Sequence, residues 1–198
     1  KKEQIEEYFG HSVEYAFQKE QLGTGHAVKC GLEKISEDTD TVLVCCGDTP
    51  LFKPETIKNL METFLKENPV IAMLSMMVKD PYFWVYGRIV RDKTKNVISI
   101  TEQKDCNPEE LKIHECNASF YIFNGKWLRE NISKLGNHNS QKEYYLTDLV
   151  QIAVSQQQKV IALPVSEESE ALGINTKQQL REAEEVLRGR EREKRNRN

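Results

Sequence analysis

The decapeptide VLVCCGDTPL, residues 42–51, limits the possible folds of this chain more than any other segment. It begins with an unbroken apolar run, typical of a strand buried on both faces, and a Thr-Pro pair turns the chain away directly after Gly47 and Asp48. In open α/β sheets, ligands bind at the carboxyl ends of the strands. There Gly47 would allow close approach of the backbone, and Asp48 could hold a divalent cation against phosphate oxygens. Asp48 as the cap of a surface turn is an equally good interpretation of these ten residues.

Strand and helix patterns alternate on both sides of this stretch. An apolar segment at residues 13–17 predicts a strand, and the Gly-Thr-Gly loop at 23–25 joins it to a helix with apolar residues at helical spacing. Such a loop could present backbone N–H groups to an anion or a base edge, although a tight turn explains it as well. A second helix begins at Pro54, and residues 70–78 predict another buried strand. The order β-α-β-α-β predicts a parallel sheet with right-handed crossovers.

The middle of the chain changes to short strands separated by polar turns. The aromatic segment YFWVY at 82–86 predicts a loop, and the two strands around the Lys/Asp-rich turn that follows it predict a β-hairpin. Polar residues abut strands at 101–105 and at 115–119. The last third returns to helix patterns. Its final helix, at 177–187, runs into a charged tail at 188–198 that predicts a solvated helix extension or a frayed end.

Composition argues against several classes of function. The formal net charge of −3 over 198 residues argues against general nucleic-acid binding. No apolar run approaches the ~20 residues that a membrane-spanning helix needs, and the charged sequence KKEQIEE at the start lacks the apolar core of a signal peptide, so we expect no membrane partner. The five cysteines are an odd number and include no Cys-x-x-Cys pair, which favours reduced thiols in the cytoplasm.

Seven short motifs, taken in order, resemble one enzyme family. They are QxxQLGTGHA at 18–27, GDxPL at 47–51, YGRIVR at 86–91, ExKD at 102–105, NxS at 117–119, EYYLTD at 143–148 and GIN at 173–175. In this order they resemble the uridyltransferase domain of the bacterial bifunctional N-acetylglucosamine-1-phosphate uridyltransferase/glucosamine-1-phosphate acetyltransferase. The resemblance extends over residues 8–187, which is nearly the whole chain.

The resemblance implies a fold, a reaction and a cofactor. The fold is an α/β, Rossmann-like nucleotidyltransferase fold, in which a mixed, mostly parallel sheet is flanked by helices and a small β-hairpin lobe binds the sugar. One nucleotidyltransferase domain is expected over residues 1–187. The reaction joins UTP and N-acetylglucosamine 1-phosphate into UDP-N-acetylglucosamine and pyrophosphate, and it depends on Mg²⁺. Catalysis in the family is by positioning and charge neutralisation, so no covalent nucleophile is expected.

The resemblance also assigns roles to individual residues. Six would bind the nucleotide, the first three of them at the uracil: Gln18, Gly23, Thr24, Cys46, Gly47 and Asp48. Four would bind the N-acetylglucosamine: Gly87, Glu102, Asn117 and Asn175. Asp48 and Asn175 would hold Mg²⁺ and are the expected catalytic residues. From spacing alone, a structural glycine at the start of a strand is the better interpretation of Gly87.

Two features of the family are not found in this sequence. The family has a strand followed by a glycine-rich loop that carries an arginine, and then a lysine, which together hold the triphosphate. It also has a C-terminal acetyltransferase domain with hexapeptide repeats. We therefore expect the chain to be a piece of such an enzyme, with little pyrophosphate release by itself. The alternative is a truncated, non-catalytic relative that binds a sugar nucleotide or another protein; no oligomeric state is predicted.

Overall fold

Helices and strands largely follow the predicted alternation. The computed structural model describes residues 2–82 and 85–197, so Phe83 and Trp84 of the predicted aromatic loop lie outside the described residues. The helices are α1 (Lys2–Phe9), α2 (Thr24–Leu32), α3 (Pro54–Glu67), α4 (Gly125–Asn131), α5 (Asp148–Ser155) and α6 (Lys177–Arg197). The strands are β1 (Thr41–Cys45), β2 (Ile71–Met77), β3 (Arg88–Arg91), β4 (Val97–Thr101), β5 (Glu115–Asn124) and β6 (Val160–Pro164). Short 3-10 turns occupy Gln103–Asp105, Glu110–Lys112, Ile132–Lys134 and Glu168–Ala171.

Strand β5 lies at the centre of the six-stranded sheet and pairs with three other strands. Its second half pairs with β1 on one edge and with β2 on the other. Its first half pairs with β2 and, through Cys116 opposite Arg88, with β3. β6 pairs with β2, and β4 pairs with β3 as the outer strand of the predicted hairpin. β1 and β3 therefore lie one after the other along the same edge of β5.

The α/β class is confirmed, but the expectation of a mostly parallel sheet is wrong. Four of the five strand pairings in the described ranges are antiparallel, and the pairing of β2 with β6 is parallel. The reason is the position of β5, which lies between β1 and β2 and runs against both of them. β1 and β2 do point in the same direction, with α3 as the connection between them, as a β-α-β unit requires. They are simply not adjacent.

The strand predicted at residues 13–17 does not form. The segment has no strand pairing, and the side chains of Val13 and Phe17 are 44% and 65% exposed. An apolar segment becomes a strand only where a neighbouring strand completes its backbone hydrogen bonds. Among residues 2–82 and 85–197, no strand lies alongside this segment.

Two hydrophobic clusters cover the two faces of the sheet. Successive residues of a strand point to opposite faces. Tyr121 and Phe123 of β5 therefore pack in one cluster, with side chains of α4 and α5, whereas Phe120 and Ile122 pack in the other, with side chains of α3. Burial of both faces explains the near-continuous apolar run of β2. The same expectation for β1 is wrong, because β1 lies at an edge of the sheet, where Leu43 is 41% exposed and Cys45 is exposed.

The last helix is longer than predicted. α6 continues through the charged tail to Arg197, and Arg190 donates a hydrogen bond from Nη1 to the Leu51 carbonyl oxygen at 2.6 Å. Of the two predicted states of the tail, the structure has the helix extension, and Arg190 joins it to the loop that follows β1. None of the helices in the described part of the chain combines the length and the apolarity that a bilayer crossing requires.

Candidate functional site

A gap between β1 and β3 leaves the middle of β5 without a paired strand on one edge. β1 ends opposite Phe120, and β3 begins opposite Cys116, so β5 is open on this edge at Ala118 and Ser119. Ser119 has a φ of 56°, and the register between β5 and β2 shifts at the same level, which is typical of a bulge next to a binding site. A cavity of about 160 Å³ lies at this gap.

The cavity brings together four of the residues that the resemblance assigns to substrate. They lie at the start of α2, after β1, after β4 and in β5: Thr24, Cys46, Glu102 and Asn117. Within the described residues, no Lys or Arg side chain contributes to the lining of this cavity. A ligand held here would therefore be bound by hydrogen bonds and apolar contact rather than by fixed positive charge.

One wall of the cavity is the loop of residues 22–25, here called the glycine loop, which packs against residues 143–146. The backbone N–H of Tyr144 donates to the Leu22 carbonyl oxygen at 2.8 Å. The Tyr144 carbonyl oxygen accepts from the Gly25 N–H at 2.8 Å. Because these two hydrogen bonds join backbone groups, the EYYLTD motif supports the glycine loop partly through main-chain groups that any residue type would provide.

Gly23 and Thr24 are held by close contacts at this wall. Gly23 has a φ of +106°, and a Cβ on it would lie 2.7 Å from the Tyr144 carbonyl oxygen, which does not leave room for a side chain. Thr24 accepts through Oγ1 a hydrogen bond from the Leu146 N–H at 3.0 Å. The glycine is therefore required by the packing of this loop, independently of any ligand.

Gln18 lies beside the glycine loop, and His26 orients its amide. Gln18 donates from Nε2 to the Gly23 carbonyl oxygen at 3.1 Å, and the same atom lies 3.0 Å from His26 Nδ1. His26 Nδ1 is thus the acceptor, which corresponds to the tautomer with its proton on Nε2. Gln18 does not itself line the 160 Å³ cavity.

Gly87, Glu102 and Asn117 lie together at another side of the cavity. The Asn117 N–H donates to the Gly87 carbonyl oxygen at 2.8 Å, and a Cβ on Gly87 would lie 3.3 Å from Glu102 Oε2. The Asn117 amide is fixed in orientation, because Nδ2 donates to Tyr121 Oη at 2.6 Å and Oδ1 accepts from the Ser119 N–H at 3.0 Å. The amide therefore presents a defined donor and a defined acceptor.

The Glu102 carboxylate lies in a negative environment. Burial raises the pKa of Glu102, and the carboxylates of Asp148, Asp105 and Glu143 add to this rise, against a hydrogen bond from Thr147 Oγ1 at 2.9 Å that favours the charged form. The pKa of Asp148 is likewise raised, by burial and by Asp105. An uncharged ligand with hydroxyl donors would relieve this unfavourable charge, as would a cation.

Asp48, Tyr86 and Asn175 surround Gly173 at the end of β1; these four residues are called the Gly173 cluster. A Cβ on Gly173 would lie 3.7 Å from Asp48 Oδ2, 3.6 Å from Asn175 Nδ2 and 3.7 Å from Tyr86 Oη. The Ile174 N–H donates to the Asp48 carbonyl oxygen at 2.8 Å, and the Gly173 N–H donates to Tyr86 Oη at 3.2 Å. Burial raises the pKa of Tyr86, so its hydroxyl stays neutral. The cluster thus places one carboxylate and one amide close together.

This donor set suits a magnesium ion that also binds substrate phosphates. The Asp48 and Asn175 side chains are exposed and make no hydrogen bond or ion pair with the described residues. Mg²⁺ is usually bound by one or two protein oxygens together with phosphates and water. Residues 2–82 and 85–197 contain no group of three or more His, Cys, Asp or Glu side chains that could hold a metal ion. The Gly173 cluster therefore fits a metal that is held jointly with a ligand, and it is not a closed protein cage.

Cys46 connects the cavity and the Gly173 cluster. Its thiol lines the cavity, and burial followed by the Asp48 carboxylate raises the pKa of that thiol. Asp48 and Asn175 themselves lie outside the cavity lining. Gly47 is exposed, and a Cβ on it would meet no atom within 4 Å. Packing therefore does not require a glycine at position 47, in contrast to position 23.

Three residues of the site received no role from the sequence: His26, Tyr86 and Thr147. Each lies within one of the seven motifs, and membership of a motif was the available signal. The contacts that define them, such as Thr147 with Glu102, join segments far apart in the chain. No local pattern pairs such positions.

The chain is similar in sequence to known nucleotidyltransferases. A family model described as "Nucleotidyl transferase" matches residues 1–169. The chain is 46% identical over 189 residues to the bifunctional protein GlmU of Clostridium botulinum, covering 96% of this chain and 40% of that protein. It is 46% identical over 186 residues to the same-named protein of Clostridioides difficile, covering 94% and 40%, and 38% identical over 188 residues to that of Geotalea daltonii, covering 94% and 41%.

The chain thus spans about 40% of the length of these curated relatives. The family match, in contrast, extends over much more than half of the chain. The matched residues include the glycine loop, Asp48, Glu102 and Asn117. On this evidence the chain belongs to the nucleotidyl transferase family.

Proposed function

We propose that the chain carries the substrate-binding residues of an Mg²⁺-dependent uridyltransferase, which joins UTP and N-acetylglucosamine 1-phosphate into UDP-N-acetylglucosamine and pyrophosphate. The observation that carries the proposal is the cavity at the gap in β5, where Thr24, Cys46, Glu102 and Asn117 meet although they come from four separate segments. Similarity to the bifunctional proteins named GlmU supports the reaction, and the position of the cavity beside the end of β1 supports the site.

The glycine loop would bind the uracil. The Gln18 amide and the backbone of Gly23 and Thr24 offer donors and acceptors of the kind that a pyrimidine edge requires. The hydrogen bonds of Leu22, Thr24 and Gly25 with residues 143–146 hold these groups in place before a ligand arrives. Cys46 and the exposed Gly47 would then lie along the ribose, where the missing side chain of Gly47 allows close approach.

The cluster of Gly87, Glu102 and Asn117 would bind the N-acetylglucosamine. Sugar hydroxyls donate readily to a carboxylate, and such hydrogen bonds would favour the charged form of Glu102, whose pKa is otherwise raised by burial. The fixed Asn117 amide would select between donor and acceptor groups of the sugar. A Cβ on Gly87 would lie 2.9 Å from Ile100 Cγ2 and 3.3 Å from Glu102 Oε2, so packing already favours glycine at this position. Without a side chain, its backbone would also be free to approach the sugar ring.

Asp48 and Asn175 would hold the magnesium ion, whose chemistry is to neutralise charge on phosphate oxygens. The residues of the chain position the sugar phosphate oxygen for in-line attack on the α-phosphorus of UTP, and the bond to pyrophosphate breaks as the new P–O bond forms. Asp48 lies two residues after Cys46, so one proposed metal ligand directly follows the nucleotide cavity along the chain, whereas Asn175 comes from the distant segment before α6. No protein nucleophile takes part in this scheme.

One observation favours binding without turnover as a second candidate. The leaving pyrophosphate carries several negative charges, and no Lys or Arg side chain among the described residues lines the cavity. Removing a single preorganised donor from such a site typically costs ~10²–10³ in rate. The chain by itself would then bind a sugar nucleotide tightly and transfer the uridylyl group slowly.

The state of the cysteines supports a reducing compartment. All five are free, including the adjacent pair Cys45 and Cys46. Disulfides persist in oxidising compartments and are rare in the cytoplasm. We propose the cytoplasm as the compartment of this activity and small molecules as its substrates.

Calorimetry with UDP-N-acetylglucosamine, with and without Mg²⁺, tests the metal ligand. We expect Mg²⁺ to increase the affinity of the wild-type chain for the sugar nucleotide, and Asp48→Ala to remove that increase, a loss of at least ~10-fold. Asp38→Ala is the matched control, because Asp38 is an exposed carboxylate before the other end of β1. It should leave the increase intact.

A magnesium-dependent affinity that survives Asp48→Ala would refute this assignment. Pyrophosphate release from UTP and N-acetylglucosamine 1-phosphate, measured on the same samples, separates the two candidates. Binding with little release supports the second candidate for the isolated chain, and rapid release supports the first.

A further inference from the structure

Glu170 is a fully buried carboxylate that the proposed mechanism does not use. Its side chain is 0% exposed. Oε2 accepts hydrogen bonds from the Lys53 N–H at 3.0 Å and from Thr56 Oγ1 at 2.6 Å, and Oε1 accepts one from Ser166 Oγ at 2.9 Å. Burial by itself would raise the pKa of Glu170, but these hydrogen bonds and the charge of Lys53 outweigh it and lower the pKa. The group is therefore a buried anion with complete hydrogen bonding.

The position of Glu170 joins the two segments that carry the proposed metal ligands. Asp48 lies in the loop that leads to Lys53 and α3, and Asn175 lies in the segment that follows Glu170. The Ile174 N–H donates to the Asp48 carbonyl oxygen at 2.8 Å. Two hydrogen bonds, from Ile174 to Asp48 and from Lys53 to Glu170, thus hold the loop after β1 beside the segment before α6.

Two further contacts, made by Lys53 and Arg190, also hold the loop after β1 in place. Lys53 Nζ forms an ion pair with Glu167 Oε1 at 2.5 Å, and Arg190 of α6 donates to the Leu51 carbonyl oxygen at 2.6 Å. Lys53 is the N-cap residue of α3 and makes no side-chain cap hydrogen bond. Glu170 therefore supplies, from a distant part of the chain, the acceptor that a helix N-terminus requires.

We propose that Glu170 is a positioning residue that sets the distance between Asp48 and Asn175 and so prepares the Gly173 cluster for a magnesium-bound sugar nucleotide; this rests on the proposed function. The side chains of Asp48 and Asn175 are exposed and make no hydrogen bond among the described residues, whereas the backbone of each residue does. Their backbone positions are consequently the main determinant of whether both side chains reach one ion. Glu170 does not touch the ligand and acts through those positions.

Three variants of Glu170 and its partner test the proposal. Glu170→Leu removes the hydrogen-bond acceptors and puts an apolar side chain of similar size in their place. Glu170→Gln can keep the network, since the amide oxygen can accept from the Lys53 N–H and Thr56 while the NH₂ donates to Ser166 Oγ. Thr56→Val removes one hydrogen bond with little change of shape and serves where Glu170→Leu does not fold.

Glu115→Leu is the control for a general loss of stability. Glu115 is also a largely buried carboxylate, held by Arg91 at 2.6 Å and 2.7 Å and by Ser75 at 2.8 Å, so its side-chain partners lie in β3 and β2 and not in the two segments that Glu170 joins. Two quantities are measured at a temperature where every variant is folded. They are the hydrogen-exchange rate of the Ile174 amide and the gain in affinity for UDP-N-acetylglucosamine on addition of Mg²⁺.

We expect Glu170→Leu to raise the Ile174 exchange rate at least ~10-fold and to reduce the magnesium-dependent gain by ~10-fold or more. The magnesium-free affinity should change less than ~3-fold, because the glycine loop and Glu102 are untouched. Glu170→Gln should restore both quantities, Thr56→Val should change both in the same direction by less, and Glu115→Leu should change neither.

The proposal is overturned if Glu170→Leu leaves Ile174 exchange at the wild-type rate, or if Glu115→Leu reproduces both effects. Failure of the proposed function gives a different result, in which Asp48→Ala keeps the magnesium-dependent gain or the wild-type chain has none. The exchange measurement still decides in that case whether Glu170 holds the two segments together, because it needs no ligand.

Discussion

The glycine loop and the Gly173 cluster are both built around a glycine, but for different reasons. At Gly23 a Cβ would lie 2.7 Å from a backbone oxygen, in a conformation with φ of +106°. At Gly173 the nearest atoms to a Cβ, within residues 2–82 and 85–197, lie at 3.6–3.7 Å and belong to the side chains of Asp48, Asn175 and Tyr86. Packing thus requires glycine at position 23, whereas at position 173 the space is free on the side of the proposed ligand.

This difference indicates that the two regions differ in how far they are formed without a ligand. The glycine loop is joined to Tyr144 by two backbone hydrogen bonds of 2.8 Å, so its geometry exists in the unliganded chain. The Asp48 and Asn175 side chains point into open space without partners among the described residues. A ligand and its metal would therefore complete the second region but only occupy the first.

The largest effect is expected for Gly23→Ala, which should destabilise the fold. A non-glycine residue in this backbone region costs about 1–3 kcal/mol, and the contact with the Tyr144 carbonyl oxygen adds overpacking. We expect a loss of at least about 2 kcal/mol in the free energy of unfolding, measured by urea denaturation. Gly31→Ala is the control, since a Cβ there meets no atom within 4 Å. An unchanged stability of Gly23→Ala would show that packing does not require glycine at position 23.

Gly173→Ala is expected to act in the opposite way, on binding and not on stability. Its Cβ would make ordinary contacts of 3.6–3.7 Å, so the free energy of unfolding should change by less than about 0.5 kcal/mol. The methyl group would nevertheless stand between the Asp48 and Asn175 side chains, and affinity for UDP-N-acetylglucosamine with Mg²⁺ should fall about 10-fold. Calorimetry and denaturation on one preparation separate the two quantities. A variant that loses stability but binds normally would show that glycine at position 173 serves packing and not binding.

Glu102→Gln should give the smallest effect, a change in the pH dependence of stability. The native state raises the pKa of Glu102 above its ordinary value of 4.5, chiefly through burial, so the folded chain holds this proton more tightly than the unfolded chain. Ionisation of Glu102 therefore lowers the free energy of unfolding as the pH rises from about 4.5 through the raised pKa.

Glutamine cannot ionise but can still accept from Thr147. The variant should become more stable than wild type over this pH range, by less than about 1 kcal/mol, with a constant difference at higher pH. Denaturation at several pH values measures this difference. If the variant loses stability toward neutral pH as steeply as the wild type, ionisation of Glu102 is not the cause of that loss.

Much of the site followed from local patterns. The apolar run at 42–46 before Gly47 and Asp48 predicts a strand with a carboxylate at its end, and β1 ends at Cys45 with Asp48 in the turn beyond it. The predicted burial on both faces is wrong, since Leu43 and Cys45 are exposed. The hairpin of β3 and β4 follows from two short strands around a polar turn. The strand expected at 13–17 did not form, because a local pattern does not supply a neighbouring strand. Its apolar residues match the pattern, but no strand of the described chain lies beside it.

The sequence by itself determined where β1, β3 and β4 lie and which nucleotidyl transferase motifs are present, because these depend on periodicity and on local turn residues. The tertiary structure decided that packing requires glycine at position 23 and not at position 47. The tertiary structure alone decided that β5 lies between β1 and β2, that Thr147 contacts Glu102, and that Glu170 joins the two segments of the Gly173 cluster. Such contacts satisfy buried backbone and carboxylate groups with partners far away in the chain. Which distant partner is available depends on the packing of the whole sheet.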